Sequence, residues 1–442
     1  MKPTDSKAPR SLRTFALGSL FASALLSSCL DAGATSESNP STATAQSPEP
    51  STPVASSDEV AATVVLVEPE LEAFQIELLD LAFDVASAVP SSPHHKTRGA
   101  LQEEVATCAL RLDQHERALA YADRIENWRR GNTYADVAMF LSERGAGERA
   151  AELIESAREI ALATDPDLPQ SWRAGRILAK IAYVLVVLDR TDEADRLAGG
   201  LESSDQGIVD KARALTMEPE DFERRMRAVD EVVRRGDLEQ VAHAFEACVE
   251  LYDRFYADEA RRALVLEKLR GSWKQVPIPV RLDITLQLVD VALGRDDAEG
   301  ALVLLEDAQT VVDGSKWRVR DLVPMKSRLA VMRFRCGDEA GGRSALVDAL
   351  ATYDEEWPGI VDIWRAETLR PVAESFFAFG DRERALSLYR RVVSDGVTNP
   401  NSKPRAEDLV ATLCSLALHG IAPDEELREA LSAARAGLSD PW

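Results

Sequence analysis

Four times along this chain an Arg is followed, seven to nine residues on, by a Val-Ala or Ile-Ala step, and a second Ala stands twelve residues after the first. The copies are Arg98, Val105-Ala106, Ala118; Arg130, Val137-Ala138, Ala150; Arg173, Ile181-Ala182, Ala194; and Arg365, Val372-Ala373, Ala385. Each Ala sits in an amphipathic stretch of helical period, with turn residues between the two. Two antiparallel helices need small residues of this kind where their axes cross closely. The expected class is therefore all-α, a stack of helical hairpins whose function resides in the surface the stack presents. Composition agrees: 45% hydrophobic with only 6% aromatic residues gives a core of Ala, Leu and Val.

Around the second Ala the pattern gains detail. A Gly precedes it, or its counterpart in looser copies, by five residues at Gly145, Gly236, Gly337 and Gly380, where the turn needs a residue tolerant of positive φ. A bulky residue follows one turn later at Ile154, Phe245, Leu305 and Tyr389. In Ala373, Gly380, Ala385 and Tyr389, with Leu369 and Phe376 on the first helix, the chain resembles the tetratricopeptide repeat (TPR). The same holds for Tyr134, Ala138, Leu141, Gly145, Ala150, Ile154 and Ala157. Looser units centre on Val241, Ala301, Gly342 and Leu427, giving roughly eight hairpins over 93–442. Two departures stand out: successive units are 32 to 60 residues apart, where the family keeps about 34, and the Pro that usually ends the second helix is mostly missing. The extra length between Leu201 and Phe222, and between Phe255 and Pro277, is expected as elongated helices or loops. A helix over about Glu70 to Val89 is expected to cap the first hairpin within a region spanning 58–92, and Asp424 to Gly437 to cap the last.

The N-terminus reads as an export signal. Lys2, Lys7, Arg10 and Arg13 precede an uncharged run from Thr14 to Ser28, too short for a comfortable membrane span. It ends Leu26-Ser27-Ser28-Cys29, which resembles the bacterial lipobox and implies cleavage after residue 28 and lipidation of Cys29. The alternative is an ordinary secretory signal cut after Ala34, since Ala32-Gly33-Ala34 fits the small-x-small rule. Leu30, where an Asp would retain such lipoproteins in the inner membrane, implies the outer membrane, at its periplasmic face or the cell surface. Residues 29–57 are rich in Ser, Thr, Pro and Ala and read as a disordered tether.

The formal charge is −23; the signal contributes +3, so the rest carries −26. This argues against nucleic acid and against anionic lipid surfaces, leaving the N-terminal lipid as the only membrane contact. Cys108, Cys248, Cys336 and Cys414 are far apart, with no C-x-x-C, and read as buried core thiols; distant repeats in an open stack do not touch, which closes most pairings. Phosphate-binding, zinc-hydrolase and nucleophile-elbow motifs are absent. His94-His95 in a loop is a weak metal candidate, and the paired acids read as solvated helix ends. No catalytic residue, metal, cofactor or small-molecule substrate is expected.

Trp128-Arg129, Trp172-Arg173, Trp317-Arg318 and Trp364-Arg365 open or precede first helices, and Trp273-Lys274 is similarly placed. One reading is structural, Trp packing on the previous hairpin and Arg reaching a carboxylate there. The other makes these cations part of a partner-binding groove. In TPR proteins the first helix faces the concave side, so the resemblance implies a groove at Arg98, Arg130, Tyr134, Arg173, Arg176, Lys180, Arg281, Arg328, Arg365 and Arg370. A basic groove in an acidic body suits a protein or peptide partner with an acidic segment. The expected function is a lipid-anchored, non-enzymatic scaffold or adaptor at the bacterial cell envelope. The alternatives are an envelope enzyme, betrayed by one cleft with clustered, pKa-shifted acids, and a purely structural spacer.

Overall fold

All eight alanines of the four clear copies are fully buried, together with the Val or Ile before each first Ala. The computed structural model describes residues 66–163, 172–235 and 238–442; Cys29, the signal segment and the tether lie outside them. The described residues form nineteen α-helices, three short 3₁₀ turns and no strand. In chain order the helices are α1 (Ala73–Ala88), α2 (Ser91–Arg111), α3 (His115–Ala122), α4 (Arg129–Glu143), α5 (Gly147–Leu162), α6 (Trp172–Val187), α7 (Thr191–Ala198), α8 (Ser203–Thr216), α9 (Phe222–Arg235) and α10 (Leu238–Arg254). There follow α11 (Glu259–Ser272), α12 (Ile278–Gly294), α13 (Ala298–Asp313), α14 (Val319–Arg335), α15 (Glu339–Glu356), α16 (Asp362–Ala378), α17 (Arg382–Val397), α18 (Ser402–Leu418) and α19 (Glu425–Ala436). No helix among the described residues is long and apolar enough to cross a membrane.

One turn motif joins most hairpins. Gly145, Gly337 and Gly380 take positive φ (82°, 90° and 80°), each five residues before Ala150, Gly342 and Ala385. In three hairpins that lack this Gly the same position is Asp: Asp113, Asp189 and Asp296, each at φ 59°, five before Ala118, Ala194 and Ala301. The next residue closes the helix end by donating to a carbonyl five back, as in Gln114 N–H to Ala109 O (2.9 Å), Arg190 N–H to Leu185 O (2.8 Å) and Asp381 N–H to Phe376 O (2.9 Å). Asp297, Asp338 and Asp381 then cap the following helix, each accepting from a backbone N–H three residues on, at 2.8, 2.9 and 3.2 Å.

The even-numbered helices pack each on the next, from α2 through α18, and α18 packs back on α2. Nine helices thereby make a closed inner wall. The odd-numbered helices lie outside; of these only α17 and α19 pack closely on one another. The array is not the expected open stack with a capping helix at each end but a solenoid whose ends meet. The physical reason lies in α1, which packs on α2 but more extensively on α18, in the place a second helix occupies in the other hairpins. Gln75 Nε2 donates to Ala417 O (2.8 Å), and Arg435 of α19 pairs with Asp84 of α1 (2.6 Å). Phe83, Val85 and Ala86 are fully buried in a hydrophobic core that runs without a break from the first hairpins into the last. A second core fills the arc from Ala214 to Cys336. The length between Leu201 and Phe222 supplies an inner helix, α8, and that between Phe255 and Pro277 an outer one, α11.

Candidate functional site

Short connections make neighbours antiparallel, so the inner helices all run one way and present their N-termini at one mouth of the ring. The Trp-Arg steps gather there. Trp128 and Trp172 meet edge to face at 5.4 Å, with the Arg173 guanidinium 5.7 Å from each ring. Arg281 lies 5.6 Å from Trp273, Arg320 4.2 Å from Trp364 and Arg365 4.1 Å from Trp357. Trp317 donates its indole N–H to Val312 O on the preceding hairpin (2.9 Å). These contacts weld hairpin to hairpin, and they provide the compensation that an Arg beside a helix N-terminus requires.

Most of the large exposed apolar residues collect at the same mouth, Val303 and Val347 of the outer helices being exceptions. Trp172, Leu238, Ile278, Val361 and Ile363 all begin or immediately precede inner helices, with Trp172 43% and Val361 58% exposed, and Leu162 ends the outer helix before Trp172. Isolated exposed hydrophobes need no explanation; their concentration on one rim does.

Below the mouth, the side of each inner helix not covered by neighbours carries charged residues three or four apart: Arg173, Arg176 and Lys180 on α6; Glu239, His243, Glu246 and Glu250 on α10; Glu367, Arg370 and Glu374 on α16. They bridge helix to helix. Asn132 and Arg129 of α4 bond Glu103 of α2, Asp136 of α4 meets Lys180 at 2.6 Å, and the Tyr183 hydroxyl donates to Glu143 (2.6 Å). Lys211 of α8 reaches Glu250 (3.3 Å), Arg328 of α14 reaches Asp283 of α12 (2.9 Å), Arg335 bonds Asp290, and His419 lies 3.9 Å from Glu374. On α10, burial alone would lower the His243 imidazole, but Glu246, 3.4 Å away, leaves it raised.

A uniformly basic groove is thus not what forms. Of the ten expected groove residues, Lys180 and Arg328 are engaged by carboxylates, and Arg176 lies within electrostatic reach of Asp136, Asp205 and His243. Arg98 donates to Ser87 O (2.8 Å) and Val89 O, tying down the end of α1, and Arg365 donates to Ile360 O (3.0 Å). Arg173 and Arg281 lie against Trp rings. The Tyr134 hydroxyl donates to Asp123 (2.6 Å); burial and that bond push it up to about 12, with Arg130 opposing.

Arg370 differs. It faces carboxyl groups of three inner helices at the seam where α18 meets α2, and its Nη1 has no hydrogen-bond partner. Burial pushes Glu104 of α2 up to about 7, Arg370 opposing and Glu407 adding. Asp408 of α18 also rises to about 7 by burial, with Arg370 opposing and Glu367, Glu407 and Asp362 adding. Glu367 and Glu407 are raised by the same burial. A paired-acid reading sends Glu104, Glu407 and Asp408 to solvent; for Glu367, Glu407 and Asp408 a cation three or four residues away was the available signal, and Glu104 carries none. Among the described residues no three His, Cys, Asp or Glu gather as metal ligands.

No family model matches the chain, and no curated protein does. Among solved structures, one described as a circular tandem repeat protein with novel repeat topology and enhanced subunit contact surfaces is 18% identical, the match covering 82% of this chain and 94% of that one at a TM-score of 0.26. Ton1535 from Thermococcus onnurineus NA1 is 14% identical over 82% of this chain and 99% of its own, at a TM-score of 0.23.

Proposed function

We propose that this protein is a lipid-anchored, non-enzymatic scaffold or adaptor at the bacterial cell envelope. Cys29 carries the lipid, the Ser/Thr/Pro/Ala segment is the tether, and the TPR-like ring receives a protein partner at its Trp-bearing mouth. The observation that carries this reading is the apolar rim at Trp172, Leu238, Ile278, Val361 and Ile363. Exposed aromatic and aliphatic anchors beside Arg side chains are what protein hot spots are made of. The partner chemistry that fits is a segment with apolar anchors and acidic residues, the latter favoured by the helix N-termini. The test captures partners from envelope extract on wild-type protein and on a Trp172→Ser, Ile363→Ser double variant with unchanged circular dichroism. A protein held by the wild type and lost at least tenfold by the variant supports the reading; equal capture by both overturns it. Cys29→Ala should move the protein from the membrane to the soluble fraction.

A second reading, an envelope enzyme, is favoured by one observation: three raised carboxyls, Glu104, Glu367 and Asp408, lie around Arg370 at the seam. Asp408 also lines, with Arg405 and Thr412, a small open recess. Turnover of a defined glycan or peptide that disappears in Glu104→Gln and Asp408→Asn would replace the scaffold reading.

A further inference from the structure

We propose that Cys108 and Cys414 form a disulfide that locks the ring shut at its seam. The two lie 306 residues apart in sequence, on α2 and α18. An open stack would hold them at opposite ends; closure makes them neighbours. The Cys108 thiol donates to Cys414 O at 3.6 Å, and both residues are buried in the core that crosses the seam. The Cys414 thiol is raised first by its hydrogen bond with the Cys108 thiol and then by burial. Cys248 and Cys336 belong to the other core and serve as internal controls.

The chemistry is thiol–disulfide exchange with a disulfide oxidant such as oxidised glutathione. One Cys thiolate attacks the oxidant, forming a mixed disulfide and releasing one glutathione thiolate. The second Cys thiolate attacks the protein sulfur of that mixed disulfide and releases the other. Two protons and two electrons leave the protein, and the oxidant is reduced to two thiols. Buried thiols react slowly in the closed ring, so the bond forms as the chain folds or whenever the seam opens. Its effect is largest on the unfolded chain, where it closes a loop of about three hundred residues. The inference rests on the seam alone and holds for any partner the mouth receives.

The experiment unfolds the full chain in urea and refolds it either with oxidised and reduced glutathione or with dithiothreitol. Non-reducing peptide mass analysis should find the Cys108 peptide joined to the Cys414 peptide in the first sample only, with Cys248 and Cys336 still alkylatable. The oxidised protein should melt roughly 5–10 °C above the reduced protein. Cys248→Ser should retain that difference and Cys414→Ser abolish it. Complete alkylation of both Cys108 and Cys414 after oxidative refolding would overturn the proposal, as would a dominant cross-link through Cys248 or Cys336. The wild-type comparison needs no substitution, so a variant that fails to fold leaves the test intact.

Discussion

At the scale of the residue, the array depends on side chains that are small where helices cross and permissive where they turn. Gly342 shows the first requirement most sharply: a Cβ there would stand 2.8 Å from Ala330 O and 3.1 Å from Phe334 N, both backbone atoms of the facing helix. Gly342→Ala should therefore destabilise by about 1–3 kcal/mol through forced separation of α14 and α15, read as a lowered urea midpoint. Asp296 shows the second. It holds φ 59°, which a non-Gly residue adopts at a cost, so Asp296→Gly should be neutral or stabilising by up to about 1 kcal/mol, by the same measurement. A clear loss there would mean that the side chain, not the backbone, matters at this turn. The alanine spacing made the crossings legible in the sequence, and Gly145, Gly337 and Gly380 made half the turns legible. The other half was hidden because Asp also tolerates this conformation, and an Asp at a helix end looks like any solvated acid.

At the scale of the element, the helix that most changes the molecule is α1. Its apolar period reveals an amphipathic helix, but a periodic face says only that something must cover it. Whether the cover comes from the adjacent hairpin or from one more than three hundred residues away depends on the summed rotation of all the units between. Small per-hairpin angles add up around the array, and no single residue records them. For the same reason the mixed charge of the inner wall was not legible. Arg176 and Lys180 were identifiable as one stripe, yet their acidic partners belong to other helices, brought opposite only by packing. Deleting residues 1–89 removes α1 and bares the apolar side of α18. The truncated chain should bind a hydrophobic dye, lose cooperativity in thermal unfolding and show a larger radius of gyration by small-angle scattering. An unchanged radius with unaltered cooperativity would show that α18 and α2 hold the seam without α1. The local contribution of α1 can be read separately: Phe83, fully buried and stacked on Tyr121 at 4.7 Å, should cost about 3–5 kcal/mol as Phe83→Ala.

At the scale of the whole molecule, closing the ring brings together acids that an open array would keep apart, and this sets its response to pH. Glu104 sits on α2, Glu367 on α16, and Glu407 and Asp408 on α18; Arg370 acts on Glu104, Glu367 and Asp408. Lys403 and His94 act on Glu407 and Arg320 on Glu367, so opposed charges are present but do not prevail over burial, while Asp362 adds to the rise of Asp408. Glu104 and Asp408 are raised from the ordinary carboxylate range to about 7 in the folded state. The folded protein then binds more protons than the unfolded chain between those limits, and stability falls as pH rises through them. The lowered carboxyls Asp297, Asp424 and Glu246 act in the opposite sense only below the ordinary range, leaving the window between about pH 4.5 and 7 to the raised acids, joined at its upper end by the raised His243, which acts in the same sense. Each of the two contributes on the order of 1 kcal/mol once solvent in the ring's opening is allowed for. The midpoint of thermal unfolding should therefore rise by several degrees from pH 8 to pH 5.5, against the usual preference of an acidic protein for neutral conditions. Glu104→Gln should raise stability at pH 8, leave it unchanged at pH 5, and flatten the dependence, with Asp408→Asn acting likewise. If both variants keep the wild-type slope, the buried acids of the seam are not what sets it, and the cause lies in His243 or in the net charge of −23, which also relaxes on acidification.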